Sequence, residues 1–172
     1  MNPLPINEHT VTRSLYWRLR SASRFVAPRF TPTGWFECDV MSVTRAGYMV
    51  EYEIKTSRAD FLNDRNKAQV KVNSDWSERT RVTKYSRLEA GDTTGPSRFY
   101  YVMPDGLIGL DELPAWAGLF VVVHHANGRF HLSLEREAPR IHGTKCDADK
   151  LWLDVAQSTY HRYWSKLAGD AA

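Results

Sequence analysis

The chain has 172 residues, 42% of them apolar and 25% charged, with a formal net charge of +3. That suits one soluble domain spanning residues 1–172 with a sizeable core, and it excludes a disordered, collagen-like or membrane-spanning chain, since no apolar run approaches a membrane span. Cys38 and Cys146 form neither a disulfide framework nor a zinc spacing, and the start "MNPLPINEHT" lacks a basic-then-apolar pattern, so a cytoplasmic protein without a secretion signal is expected.

Along the chain, Val11, Leu15 and Leu19 recur at helical spacing, with Tyr16 offset, and predict an amphipathic helix over 8–25 with an arginine-rich outer face. Pro28, Pro32 and Gly34 then predict a loop. Residues 35–43 and 48–55 read as two strands joined by the turn "TRAG", a hairpin. Ser57 and Asp60 suit a helix start, with Phe61 and Leu62 as its apolar contacts. The basic stretch that follows predicts part helix and part loop. "RFYYVMP" reads as an aromatic strand ending at Pro104, and "AGLFVVVHHANGRFHLSLERE" as a hairpin around Asn127-Gly128. Residues 147–167 predict a closing helix capped by Asp147, with Leu151, Val155 and Tyr160 along its apolar stripe. Helix, strands, helix, strands, helix is a mixed α/β or α+β order with a central sheet.

The first hairpin carries the chemistry. Strand alternation sets Glu51, Glu53 and Lys55 on one face and Val50, Tyr52 and Ile54 on the other. On the preceding strand Asp39 can meet the Glu53 face. Facing carboxylates repel, and a divalent cation resolves the conflict. Asp39 and Glu53 are then ligands for Mg²⁺, with the Ile54 carbonyl as a third, and the Lys55 ammonium stands where it can touch a scissile phosphate and its attacking water. The competing reading is the wet face of an antiparallel sheet, with weak Glu–Lys pairs across strands.

Asp39 followed by Glu53-Ile54-Lys55 resembles the D…(D/E)-x-K signature of the PD-(D/E)XK nuclease superfamily, with Cys38 where the name has proline. "EIKTSRADFLNDRNK", "RFYYVMPDGLI" and "LPAWAGLFVV" are similar to runs in MmcB-like DNA repair proteins and related phage nucleases, a likeness covering roughly residues 34–123. The resemblance implies a restriction-endonuclease-like central mixed sheet flanked by helices, Mg²⁺ dependence with Mn²⁺ as a substitute, and hydrolysis of DNA phosphodiester bonds in phage or bacterial repair, recombination or restriction. It implies Asp39 and Glu53 as metal ligands, Lys55 as the catalytic lysine, Glu8 as a further metal-site residue, and Ser57 as a substrate or structural contact. Asp60, Asp64, Lys67 and Tyr85 match the downstream run, where helix capping is the plainer role for Asp60. The basic insert before Lys84 and Tyr85 departs from the compact pattern. Either it is a DNA-contacting loop or those two residues are matched wrongly.

Cations and aromatics set the expected nucleic-acid contacts at Arg58, Lys67, Lys71, Arg79, Arg81, Lys84, Tyr85 and Trp76, beside Ser57, although a solvated helix face carries similar charge. Trp35, Trp116, Trp152 and Trp164 can stack on bases, but core or packing roles are the simpler reading for most of them. His124, His125 and His131 flank a turn, with the adjacent pair on opposite strand faces, and Cys38 is expected in the core as an inert thiol. The alternative to a nuclease is a non-catalytic DNA- or protein-binding module on the same fold. No membrane partner is expected, and a homodimer is left open.

Overall fold

The computed structural model describes residues 6–72, 79–124 and 130–169, so Trp76, His125 and the Asn127-Gly128 turn lie outside the described residues. Its centre is a six-stranded mixed sheet in the order β1-β2-β3-β6-β7-β8. Strand β2 (Cys38–Thr44) runs antiparallel to both its neighbours, β1 (Ser23–Phe30) and β3 (Met49–Ile54), whereas β6 (Arg98–Pro104) pairs parallel with both β3 and β7 (Ala117–His124), and β8 (Phe130–Arg136) closes the far edge antiparallel. This is the mixed α/β architecture expected from the element order.

Both faces of the sheet are covered. On one, Val11 and Leu15 of α1 (Glu8–Leu19) pack on Val40, Val50, Tyr52, Ile54, Tyr100 and Val102. On the other, Met41, Phe99, Tyr101, Met103 and Leu119 meet Phe61 of α2 (Arg58–Asn63), Leu88 of α3 (Lys84–Glu89) and Val155 of α4 (Ala148–Gly169). Parallel strands buried on both sides need apolar side chains at every position, and this is why "YYVM" and "LFVVV" read as unbroken apolar runs.

Three local expectations change. The first helix ends at Leu19 rather than running to residue 25, and the expected loop is largely the edge strand β1. Beyond Leu19 the buried side chains fall on Ala27 and Phe30, facing the sheet, and an edge strand tolerates Pro28 because one side of it has no ladder to feed. The basic insert holds a two-stranded ribbon, β4 (Ala68–Val72) with β5 (Arg79–Thr83), before α3 begins. Tyr160, placed on the α4 stripe with Leu151 and Val155, is exposed; Val155 is buried. Helix caps fall as the sequence indicates: Ser57 Oγ accepts the Asp60 N–H at 3.2 Å and Asp147 Oδ1 accepts the Lys150 N–H at 3.0 Å. Among the described residues, no helix is long and apolar enough to cross a membrane.

Candidate active site

The turn between β2 and β3 closes through Gly47 at φ 88, a left-handed position that favours glycine, and sets the register Val40↔Tyr52 and Met41↔Glu51. That register carries Asp39 alongside Glu53 at the open end of the hairpin. Asp39 Oδ2 accepts the Ile54 N–H at 2.8 Å, which ties its carboxylate to the backbone of the Glu-Ile-Lys segment. Lys55 follows at the end of β3, where its N–H continues the parallel ladder to the Val102 carbonyl at 2.9 Å. The hairpin therefore gathers Asp39, Glu53 and Lys55, as expected from strand alternation.

Lys55 does not face outward. Its ammonium donates to Glu53 Oε1 at 2.9 Å and Asp64 Oδ1 at 2.8 Å, with Asp60 Oδ1 at 3.7 Å. Lys84, expected on the nucleic-acid surface, is 1% exposed and bonds Glu51 at 2.6 Å, Glu53 at 2.9 Å and the Glu37 carbonyl at 3.2 Å. The position opening α3 turns this side chain under the sheet, so its charge is spent on buried carboxylates. Lys67 also pairs with Glu53 and lies 3.1 Å from Asp64, but its side chain is 42% exposed. Trp35 Nε1 donates to Glu51 at 2.8 Å, and the Tyr101 hydroxyl donates to Asp64 at 2.8 Å.

The result is a buried lattice in which the carboxylates of Glu51, Glu53 and Asp64 meet the ammonium groups of Lys55, Lys67 and Lys84. Burial alone would raise the Glu53 carboxyl; Lys84, then Lys55 and Lys67, outweigh it and hold the group well below the ordinary range. Burial likewise works against the Lys84 charge, but Glu51 and Glu53 raise its pKa well above normal. Burial outweighs Lys84 at Glu51 and raises that carboxyl, and Asp39 is raised too. Burial and then the charge of Glu53 push it up to about 6, against the smaller opposing effect of the Ile54 N–H. It is the acid in the cluster least compensated by cations.

Asp39 opens onto a cleft of about 470 Å³ that Glu8, Arg29, Lys67, Gln69 and Lys84 also border. Glu8, drawn to this site by resemblance, reaches it from the first turn of α1, where Arg29 Nε holds it at 2.9 Å. Ser57 caps α2, Arg58 pairs with Glu112 at 2.8 Å, and Arg81 reaches the Asn66 carbonyl at 3.5 Å. Tyr85 packs edge-on against Trp116 at 4.9 Å and is half-buried. Lys71 and Arg79 sit on the β4–β5 ribbon, with side chains outside the described residues. Cys38 is fully buried, and burial raises its thiol well above normal, in keeping with an inert core residue.

Sequence reasoning passed over Glu51, Arg29 and the burial of Asp64. Glu51 carried a signal: it shares the Glu53 face by alternation. Arg29 carried none, because only the β1–β2 pairing brings it to the cleft.

Among the described residues, no group of three or more His, Cys, Asp or Glu side chains is gathered as a metal site. Two carboxylates and a backbone carbonyl still fit Mg²⁺ in kind, since that ion takes one or two carboxylates and keeps waters for the rest. Accommodation requires Lys67, the exposed ammonium, to leave Glu53.

No family model and no curated protein matches the chain. A solved structure of a protein of unknown function from Silicibacter pomeroyi is similar, with a TM-score of 0.60 at 20% identity over 98% of this chain and 97% of that one. At that identity the likeness concerns the fold alone.

Proposed function

We propose that the chain is a metal-dependent nuclease that hydrolyses DNA phosphodiester bonds in a repair, recombination or restriction setting, on a PD-(D/E)XK-type site. One observation carries the reading: Asp39, raised to about 6, stands beside Glu53 at the mouth of a cleft rimmed by Arg29 and Lys67. A raised carboxyl at a cleft is a functional-site candidate, and two adjacent acids there suit a cation. Asp39, Glu53 and the Ile54 carbonyl would hold Mg²⁺, which when bound acidifies a water and polarises the phosphate. Lys84 and Lys55 keep Glu53 ionised and fixed. Lys67, with its exposed stem, is the ammonium able to swing from Glu53 to a phosphoryl oxygen, and Arg29 adds a second positive charge at the rim.

A non-catalytic binding module is the second reading, and a specific observation favours it: Glu53 already accepts Lys55, Lys67 and Lys84. Incubation of wild type and Asp39→Asn with linear, circular and branched DNA in Mg²⁺, Mn²⁺ or EDTA separates the two. The nuclease predicts cleavage that EDTA abolishes and that Asp39→Asn lowers by roughly 10²–10³. Metal-independent cleavage, or none with DNA binding intact, removes the nuclease.

A further inference from the structure

Val26 and Pro28 stand two apart on β1 and share a face, and the pairing Pro28↔Val40 sets Val40 beside them. Above this apolar floor α1 presents Glu8, Thr12 and Tyr16, spaced four apart along one side of the helix. The neighbouring stripe, Val11 and Leu15, is the one that packs on the sheet, so Thr12 and Tyr16 overhang the edge strand instead. The space left between helix and strand is a pocket of about 490 Å³, within the size range of small-ligand sites.

Two observations say what fits it. The first is charge. Arg13 and Arg29 border the pocket with Glu8 as the acid among them; Arg29 takes Glu8, with Nε and Nη2 both 2.9 Å from its Oε1, and Arg13 has no ion-pair partner among the described residues. The rim therefore carries surplus positive charge over an apolar floor. The second is continuity. Glu8 and Arg29 also border the cleft that holds Asp39, so the two spaces share one wall. Arg29 lies between the pairs Pro28↔Val40 and Phe30↔Cys38, which sets it across from Asp39. It takes a left-handed backbone at φ 46, alone in this among the described non-glycine residues, and its carbonyl accepts Arg162 Nη1 at 2.9 Å. Backbone and guanidinium are thus both held at the wall. An anion at Arg29 with an apolar, flat group one sugar away matches pocket and cleft together, and that is a nucleotide.

We infer that the pocket between α1 and β1 seats one unpaired base of the strand whose phosphate lies at Arg29 beside Asp39, with the Tyr16 ring as its stacking partner. This rests on the nuclease reading for the phosphate's destination, and it makes DNA with an unpaired or extruded nucleotide the substrate class. A paired duplex must unstack a base to fill the pocket.

The test is amide NMR titration in EDTA with thymidylate and with deoxyribose phosphate, the same sugar phosphate without its base. Wild type binds thymidylate roughly tenfold or more tightly, with the shifted amides gathered on α1 and β1. Thr12→Phe fills the pocket and brings the two ligands level. Tyr16→Ala, at an exposed position where melting should not change, also removes most of the preference, and Tyr16→Phe keeps it. Equal affinity of wild type for the two ligands overturns the inference, as does a preference that survives in Tyr16→Ala, or shifts that gather away from α1 and β1. If Mg²⁺ elicits no DNA cleavage while the base preference holds, the nuclease reading falls and the pocket stands; cleavage without a base preference removes the pocket alone.

Discussion

Asp39 is the residue where stability and function pull apart. The folded protein binds its proton more tightly than the unfolded chain does, because burial and Glu53 raise it from 3.8 to about 6. Its contribution to stability is therefore fully present at low pH and is lost as pH rises through about 6. Asn keeps an oxygen for the Ile54 N–H and removes the charge. Asp39→Asn should raise the unfolding free energy by about 1–3 kcal/mol near neutrality. In thermal melts across pH, the gain over wild type should be largest at about pH 7–8 and vanish near pH 4. A gain independent of pH would contradict the raised carboxyl. Cleavage should follow the opposite course: a metal ligand must shed its proton, so the Mg²⁺-dependent rate of wild type should fall as pH drops through about 6.

At the scale of elements, the hairpin and α3 divide the lysines into two kinds. Lys84, the first residue of α3, is sealed between Glu51 and Glu53. Lys84→Met leaves buried Glu51 without its cation and takes one of three from Glu53, and should cost about 3–5 kcal/mol in denaturant unfolding. Lys67 leaves the short 3-10 turn at Asp64–Asn66 half in solvent. Lys67→Ala should cost less than about 1 kcal/mol yet lower the cleavage rate, and equal costs for the two substitutions would refute the division. The β6–β7 pair holds a different constraint. A Cβ on Gly118 would strike the Tyr100 ring and lie 2.7 Å from the Ala138 nitrogen. Tyr100 is also stacked on Tyr52 at 5.5 Å and bonded to Glu137 at 2.7 Å, so it cannot retreat. Gly118→Ala should lose about 1–3 kcal/mol, measured by the same unfolding curves. Most of these elements were legible. Alternation assigned β3 its two faces, and Ser57 and Asp147 announced their helices. The β1 strand was not, because its propensity is divided by Pro28 and only pairing with β2 decides it.

For the whole molecule, a ligand that binds only the folded chain stabilises it by mass action. Millimolar Mg²⁺ should therefore raise the melting temperature of wild type and leave Asp39→Asn unmoved; an equal shift in both would place the ion elsewhere. What the sequence determined by itself is the alternation that puts Asp39, Glu53 and Lys55 on facing surfaces, the unbroken apolar strands at the centre, and a mixed α/β order, because these depend on local period and composition. Only the tertiary structure decided where the charges end. Asp64, Lys67 and Lys84 come from 11 to 31 residues beyond Glu53 in the chain, yet close on the site because the crossover from β3 to β6 folds α2, the ribbon and α3 back over one sheet face. Burial then makes partners of side chains that composition alone would assign to the surface, since a carboxylate removed from water requires a cation or a proton, and no local pattern records which one it receives.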